Sequence, residues 1–220
     1  MKPPPATPYL PPPHLGLDLL HVDGSLLVVN KPTGLLSVPG RGAGKEDCMV
    51  SRVQLEFPDA LIVHRLDMGT SGLLVFARSK DMLGLLSTLF ALRQVYKRYV
   101  ALIEGHLEHA SGTVDLPLIK DWENSPLQKV DLAQGKPSLT RYTRLEWADG
   151  QSRVRLEPET GRTHQLRVHM AALGHPILGD DFYGAGHTAA APRLMLHAEV
   201  LAFDHPLEQR PLRFEKTAEF

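Results

Sequence analysis

The stretch VHRLDMGTSGLLVFA, residues 63–77, determines the fold that we predict for this chain. Asp67 stands between two apolar runs, with Arg65 two residues before it and two glycines within the next five residues. The runs at 61–66 and 73–77 predict two strands, and the glycines predict a tight turn between them. If the chain is extended up to Asp67, the side chains of Arg65 and Asp67 project from one face, because strand side chains alternate.

This placement leaves two interpretations of Asp67 open. An ionised carboxylate in apolar surroundings is costly unless a cation or hydrogen-bond donors hold it. Asp67 is therefore either half of a structural ion pair with Arg65 or a carboxylate kept in a sheltered position for chemistry. The stretch alone does not decide between them.

Periodicity elsewhere in the chain predicts more strands than helices. Residues 139–147 and 152–158 alternate as two strands joined at Asp149–Gly150, a common hairpin turn. Helical spacing follows Ser79, a good helix cap, and recurs within 163–176. Further apolar runs predict strands at 25–32, 95–105 and 193–203. Together they predict an α+β fold with a mixed, mostly antiparallel central sheet and flanking helices and loops.

Composition and charge indicate which partners and which cellular compartment suit the chain. The formal net charge is −1, so a surface that binds nucleic acid would have to be local. Cys48 is the only cysteine, which rules out an intramolecular disulfide and favours the reducing cytoplasm, with the thiol itself buried as a small apolar group. The longest helix-like apolar stretch, 82–92, is too short to cross a bilayer, so we expect no membrane association.

The N-terminal segment differs from the rest of the chain. Seven of its first 13 residues are proline, which predicts a stiff or flexible arm over residues 1–14 without the apolar core of a signal peptide. Residues 15–220 are then expected to form one domain. We expect a monomer, because no predicted helix has a spare apolar face.

Three other chemistries fit the sequence poorly. The stretch PGRGAGKE, residues 39–46, lacks the first glycine of a phosphate-binding loop and has Glu46 where Ser or Thr would hold magnesium. Ser71 lies in GTSG, which is not the elbow of a serine hydrolase. His164, His169 and His175 are five and six residues apart, so no pair has the i, i+4 spacing of a metal site on a helix.

Two stretches without acidic residues indicate local positive potential. Residues 161–179 contain two arginines and three histidines, among them Arg162 and His164, which we assign to RNA contacts. Residues 82–103 contain basic groups interleaved with Tyr96 and Tyr99. Cations suit phosphates and aromatic rings suit unstacked bases, so the combination favours single-stranded RNA. Each stretch alone is more typical of a solvated basic face with a buried tyrosine, but the two together, beside an aspartate in apolar sequence, indicate a site.

The motifs resemble those of one enzyme family over most of residues 20–205. HRLDMGTSGLLVFA is similar to the catalytic motif of the RluA branch of pseudouridine synthases. VVNKPTGLLSVPG and KRYVALIEG resemble its first motif and its tyrosine-bearing strand. GRTHQLRVHMAALGHPILGDDFYG and RLMLHAEVLAF resemble its last two motifs, and all of them occur in the family's order. The resemblance implies the pseudouridine synthase fold, with the active site in a central cleft and without the S4 domain of longer relatives.

The resemblance also implies the catalytic residues. Asp67 would be the nucleophile that detaches uracil from its ribose and lets it re-attach through carbon. Tyr99, which follows the basic pair at 97–98, would stack on the target base and assist removal of its C5 proton. Arg167 would pair with the Asp67 carboxylate, and its charge would keep that carboxylate ionised in a dry site. Whether Asp67 attacks the sugar, adds to the base or drives an elimination stays open.

Substrate contacts follow from the same resemblance. Arg65 would fill the space left by the everted nucleotide, and Leu196 would pack under the base. The implied substrates are a hairpin of 23S rRNA and a tRNA anticodon stem-loop. The isomerisation involves no net redox change, so we expect no cofactor and no metal. The alternatives are an RNA-binding protein without catalysis, which has no use for an aspartate beside phosphates, and a nucleotide hydrolase, which the incomplete loop disfavours.

Overall fold

The computed structural model describes residues 8–184 and 191–220. The chain divides into two compact units. The first unit comprises residues 8–97 and 198–219, and the second unit comprises residues 98–197 with Phe220. The predicted division into an arm and one domain stays a prediction.

The described residues form three helices and twelve strands. In chain order these are β1 (Leu19–Val22), β2 (Leu26–Lys31), α1 (Met49–Glu56), β3 (Leu61–Ile62), β4 (Ser71–Ala77), α2 (Lys80–Ala91), β5 (Tyr96–Glu104), β6 (Ser111–Asp115), β7 (Leu118–Lys120), β8 (Gln128–Val130), β9 (Leu139–Ala148), β10 (Gln151–Pro158), α3 (Gln165–Ala172), β11 (Leu196–Asp204) and β12 (Pro211–Glu215). The predicted α+β class with a mixed, mostly antiparallel sheet is confirmed.

The strands of the first unit are arranged around β2 and β4, which are buried along almost their whole length. β2 and β4 pair antiparallel from Leu26 opposite Ala77 to Lys31 opposite Gly72. Both are nearly continuous apolar runs, which is the pattern of strands covered on both faces. β1 pairs with β2, β3 with β4 and β12 with β11, all antiparallel, and β11 is the hydrogen-bonded neighbour of β4. The strands predicted at 25–32 and 73–77 are therefore confirmed.

Helix α2 covers one side of this sheet as the sequence predicts. Ser79 caps it, since the hydroxyl accepts a hydrogen bond from the backbone N–H of Met82 at 3.1 Å. Met82 and Leu86 are buried in one apolar cluster with the core residues of β2 and β4. The helix therefore exists because a capped start is followed by an apolar stripe that a sheet can cover.

Gly72 allows two strands to approach closely. Its φ is +115°, and a Cβ atom built on it would lie 2.3 Å from the carbonyl oxygen of Ala198. No side chain fits in that space, so the backbones of β4 and β11 require glycine there. The residue lies within β4, and its main constraint is this close approach rather than the tight turn that the sequence predicts.

Helix α1 is absent from the sequence prediction. Cys48 caps it: its Sγ accepts from the backbone N–H of Ser51, while the Ser51 hydroxyl accepts from the backbone N–H of Cys48. Cysteine is a rare cap and the apolar stripe is weak, so the periodicity gave no signal. Cys48 itself is fully buried, as expected.

The predicted flexible arm covers residues 1–14, of which residues 1–7 lie outside the described part. Beyond them, the Tyr9 hydroxyl donates to the carbonyl of Asp47 at 2.8 Å and accepts from the N–H of Leu36 at 3.1 Å. The guanidinium of Arg52 donates to the carbonyl of Pro12 at 2.5 Å. These contacts place residues 8–14 against the segment that precedes Asp67 in the chain.

The strands of the second unit pair antiparallel in the order β5–β10–β9–β6, and β7 and β8 form a separate hairpin. Strands β9 and β10 are joined at Asp149 and Gly150, whose φ values of 51° and 74° suit the hairpin turn predicted there. Helix α3 is confirmed within 163–176, and its Leu166 and Met170 join the apolar cluster of this unit. None of the helices in the described part of the chain is long and apolar enough to cross a membrane.

Candidate active site

Asp67 lies in a loop of the first unit rather than at the end of a strand. The predicted strand over 61–66 is wrong beyond Ile62, since β3 ends there and 63–67 run outside the sheet. The reason is His64, whose imidazole Nε2 accepts the hydrogen bond of the Val75 backbone N–H at 3.2 Å. A side chain thus occupies a donor of β4 that a longer β3 would need, and the alternation inferred for residues 61–67 does not apply.

The backbone on both sides of Asp67 is held by the segment that follows β2. The Ser37 hydroxyl donates to the carbonyl of Leu66 at 2.7 Å and accepts from its N–H at 3.0 Å. The Thr33 hydroxyl donates to the carbonyl of Gly69 at 2.7 Å. The N–H of Thr70 donates to the carbonyl of Asp67 at 3.1 Å, which closes a turn. The loop around Asp67 is therefore fixed by hydrogen bonds to its main chain.

The strongest of these restraints is the ammonium group of Lys31, which is fully buried. Its Nζ donates to the carbonyls of Pro32 at 2.9 Å, Leu35 at 2.7 Å and Met68 at 3.1 Å. Three carbonyls match the three N–H bonds of an ammonium group and replace the water lost on burial. Lys31 therefore ties the residue directly after Asp67 to the end of β2.

Exposure differs sharply among the residues of this loop. Leu66 is buried, Asp67 is half-buried and Arg65 is exposed. The carboxylate of Asp67 thus borders both protein and solvent, where a substrate can reach it. Arg65 is accessible to a ligand on the same loop, as a residue that fills the place of an everted base would need to be.

His64 is kept neutral at the base of this loop. Its ring stacks on Phe90 with centroids 4.6 Å apart and an interplanar angle of 27°. Burial, and secondarily the positive charge of Lys97, lowers the pKa of His64 to about 3. A neutral imidazole has a free nitrogen lone pair, which the Val75 N–H requires as its acceptor.

In the second unit, Arg167 belongs to a buried ion pair. Its Nε and one terminal nitrogen donate to the two carboxylate oxygens of Asp180 at 2.8 and 2.6 Å, and the same terminal nitrogen donates to Asp181 at 2.9 Å. Arg167 is 4% exposed and Asp180 is 3% exposed. The backbone N–H groups of Phe182 and Tyr183 also donate to Asp180, so this carboxylate is well satisfied.

Aromatic rings complete the surroundings of Arg167. Its guanidinium carbon lies 4.8 Å from the ring centroid of Phe182 and 5.4 Å from that of Tyr183. His164 is bonded through Nδ1 to the Tyr183 hydroxyl at 2.7 Å. The structure thus brings the predicted residues Arg167 and His164 to one aromatic group in the second unit.

Two further predicted residues share the apolar cluster of the second unit. Leu196 is a buried member of it, and Tyr99 is partly buried against it, opposite Leu156 in the pairing of β5 and β10. An aromatic ring on a rigid strand is well suited to stack on a base. Arg162, by contrast, is exposed, and its Nε donates to the carbonyl of Pro137 at 3.3 Å.

The other two histidines in the rejected metal pattern have structural bonds. His169 contacts the Thr140 hydroxyl at 2.9 Å and the Leu116 carbonyl at 3.0 Å, and it is fully buried. His175 bonds to the carbonyl of Glu104 at 2.8 Å. Burial also lowers the pKa of His169, so this ring is held neutral inside the second unit.

Lys31 and Asp180 are absent from the residues predicted from sequence. Both carry a charge that is buried, and each has a partner distant in sequence: Met68 lies 37 residues from Lys31, and Arg167 lies 13 residues from Asp180. A lysine that ends an otherwise apolar strand and an acid directly after Gly179 were the available signals. Gly179 has φ +72°, and a Cβ there would meet the Arg193 carbonyl, which marks a tight backbone position before Asp180.

Comparison with known proteins agrees with this arrangement. The family model described as RNA pseudouridylate synthase matches residues 25–172. This chain belongs to that family, and its members are isomerases that act on RNA.

The most similar relatives place the chain within one branch. It is 50% identical to the dual-specificity RNA pseudouridine synthase RluA of Escherichia coli K12 over 214 residues, 96% of this chain and 98% of the relative. It is 52% identical over 204 residues to the RluA of Vibrio parahaemolyticus, covering 90% of this chain and 82% of the relative. The solved structure of human RNA pseudouridylate synthase domain containing 1 superimposes with a TM-score of 0.80 at 32% identity, covering 96% of this chain and 87% of that one.

We expect Lys31→Met to destabilise the first unit and loosen the loop at Asp67. The substitution keeps the length of the side chain but removes the ammonium donor of three carbonyls, at a total cost of about 2–4 kcal/mol in the free energy of unfolding. Urea unfolding measures the loss. The matched control is Lys80→Met, because Lys80 is exposed at the start of α2. Equal stability of the two variants would contradict the role given to Lys31.

His64 provides a prediction that depends on pH. The folded protein keeps His64 neutral down to about pH 3, whereas the unfolded chain protonates an imidazole near pH 6.5. Acidification from pH 6.5 towards 3 therefore favours unfolding, by at most about 1.4 kcal/mol per pH unit. The NMR signal of the His64 C2 proton, assigned by its loss in His64→Gln, should not titrate between pH 5 and 8. A midpoint near 6.5 would show that the imidazole is not held neutral.

Proposed function

We propose that this protein isomerises specific uridines to pseudouridine in stem-loops of large-subunit rRNA and of tRNA. The observation that carries the proposal is the restrained loop around a half-buried Asp67, in a chain half identical to enzymes named for dual specificity. The proposed rRNA site is a hairpin loop, and the proposed tRNA site lies in the anticodon stem-loop. In both, the target uridine can leave its stack at low cost.

The product has the same composition as the substrate, and one proton is exchanged with solvent. The bond between ribose C1′ and uracil N1 breaks, the base turns, and C1′ bonds to C5. The C5 proton is lost and N1 gains a proton, so the reaction needs no external oxidant or reductant. We assign Asp67 as the nucleophile, and a carboxylate suits a glycosidic centre because it can stabilise or capture the electron-poor sugar carbon.

The restraints on the Asp67 loop support this assignment. Lys31, Thr33 and Ser37 hold the main chain on both sides of Asp67, so the loop that carries the carboxylate does not need to be ordered when the substrate binds. Its half-buried position suits a group that an RNA base must cover. Everting the base costs a few kcal/mol, and we assign Arg65, exposed on the same loop, to fill the gap in the RNA.

The second unit supplies the remaining proposed roles. We assign Tyr99 to stack on the target uracil, with Leu196 packing beneath the base, because both belong to one rigid apolar cluster. We assign Arg167 as the cation that keeps Asp67 ionised in the enzyme–RNA complex. The ion pair with Asp180 fixes the Arg167 side chain and the plane of its guanidinium. His164 and Arg162 are assigned to contacts with the RNA backbone.

We further propose that the protein acts in the cytoplasm, as a monomer and without a cofactor. The RNA substrates support the location, and a single buried cysteine suits a reducing compartment. The chemistry supports the absence of a cofactor, because the carboxylate and the solvent account for each bond and each proton of the isomerisation. Sedimentation with and without RNA tests the oligomeric state.

Asp67→Asn is expected to abolish turnover, because an amide is not a nucleophile at the sugar and carries no charge. RNA labelled with tritium at uracil C5 releases the label as the base re-attaches through carbon. We expect a reduction of roughly 10³-fold or more in this release. The control is Asp204→Asn, which neutralises an exposed aspartate of the same unit and should leave release unchanged.

The alternative of RNA binding without catalysis makes the opposite prediction for the same assay. It expects no tritium release from the wild-type protein and equal RNA affinity for wild type and Asp67→Asn. Normal release by the Asn variant would reject Asp67 as the nucleophile while leaving the enzyme assignment intact.

Arg167→Ala is expected to lower kcat, because the proposed pair with Asp67 stabilises the ionised carboxylate when RNA covers the site. Arg167→Lys keeps the positive charge and should retain more of the rate than Arg167→Ala. A purely structural role through the two-point contact with Asp180 predicts equal losses for the two variants, and Asp180→Asn serves as the comparison that weakens this contact. Near-normal turnover of Arg167→Ala at neutral pH would reject the proposed pair.

A further inference from the structure

We propose that a pocket beside the β7–β8 hairpin binds one nucleotide of the RNA other than the target uridine. The base would stack on Trp122, and Lys120, Lys136 and Arg162 would bind its phosphates. The inference rests on the proposed function for the identity of the RNA, but the pocket is argued from its own chemistry. It lies wholly within the second unit.

The pocket is large enough for a nucleotide. Its volume is about 480 Å³, within the range of small-molecule sites. Three cationic and four other polar or aromatic side chains share its wall with apolar residues: Leu118, Ile119, Lys120, Trp122, Gln128, Gln134, Lys136, Arg162 and Thr163. None of these lining residues is acidic. In a chain with a formal net charge of −1, three cations around one cavity form a local anion site.

Trp122 gives the pocket a flat surface for a base. The residue is 75% exposed, which is unusual for the largest apolar side chain in a protein. The ammonium of Lys120 lies 4.0 Å from its ring centroid, so one ring face carries a cation. The opposite face is available to stack on a base, and the cation lies where it can also meet a phosphate.

Two aspartates near the pocket have hydrogen-bond donors of their own. Asp131 accepts hydrogen bonds from the backbone N–H groups of Gln134 and Ala133. Asp121 accepts from the side-chain amide of Asn124. Neither aspartate is among the residues that line the pocket, so its wall carries cations without a carboxylate.

The combination of three cations with an exposed indole ring favours a nucleotide over other anions. A free phosphate would use the cations but not the indole ring, and an acidic peptide offers no flat π-system to stack on it. Single-stranded RNA supplies both, and base–aromatic stacking is tolerant of sequence. Gln128 and Gln134 add amide donors and acceptors that can read a base edge. The geometry therefore assigns the pocket to an unpaired nucleotide of the substrate loop.

Tryptophan fluorescence tests the stacking directly, because Trp122 and Trp147 are the only two tryptophans. Trp147 is a matched control: it is 56% exposed in the same unit and contacts the ring of His106 edge-on. In the Asp67→Asn background, Trp147→Phe leaves Trp122 as the sole fluorophore, and Trp122→Phe leaves Trp147. An oligouridylate of about ten nucleotides, within the site sizes of single-strand-binding folds, is the probe.

We expect the oligouridylate to quench the protein that retains Trp122 and not the protein that retains Trp147. We also expect Trp122→Ala to weaken RNA binding about fivefold or more, as loss of one stacked base does. Lys136→Gln should reduce the slope of log affinity against log salt by about 0.7, the value for one phosphate contact of a single strand. Arg213→Gln, which removes an exposed cation of the first unit, should leave that slope unchanged.

Three results would contradict the proposal that the pocket binds a nucleotide. One is equal quenching of the two single-tryptophan proteins, and a second is the same quenching by polyglutamate of equal charge, which would make it a general anion site. A third is RNA binding that Trp122→Ala does not change. Tritium release by the wild-type protein is measured separately, so failure of the pocket and failure of the proposed reaction are distinguishable.

Discussion

The buried ammonium group of Lys31 is the constraint on which the loop carrying Asp67 depends. It joins the end of β2 to the carbonyl directly after Asp67, and no apolar side chain could replace its donors. Ser37 and Thr33 extend the same restraint to residues on both sides. A loop outside a sheet has no ladder of hydrogen bonds of its own, so side chains from another segment must fix it. The main chain on both sides of Asp67 is therefore fixed by side chains from another segment.

In the second unit, an ion pair fixes the position of a buried side chain. Arg167 is buried, and a guanidinium in that position is stable only if carboxylates and hydrogen bonds replace its water. Asp180 does so through a two-point contact that also fixes the plane of the guanidinium. In both units, burying a charge costs stability but fixes the position of the neighbouring groups. Sites that must be in place before the substrate binds commonly have this property.

Much of this arrangement could be predicted from local sequence. β2, β4, α2 and the β9–β10 hairpin follow from apolar periodicity, a serine cap and an Asp–Gly turn, all of which act over a few residues. Asp67 stands out because an acid between apolar runs breaks the pattern. The strand over 63–66 was wrong because His64 takes the place of a backbone partner, and periodicity does not detect such a bond. Lys31 and Asp180 were missed for a similar reason, since their partners are set by the tertiary fold.

The chemistry proposed for Asp67 does not by itself choose a uridine. An everted uracil offers the same atoms whichever RNA it comes from, so discrimination must come from contacts to the surrounding nucleotides and to the backbone. A chain whose formal net charge is −1 cannot bind RNA through its overall field, and such contacts must be concentrated at a few surfaces. An exposed indole with three cations beside it is one surface of this kind, and it lies on a hairpin separate from the sheet. A hairpin of that kind can vary between relatives without disturbing the buried charges that position the catalytic groups, so specificity can change while the chemistry stays the same.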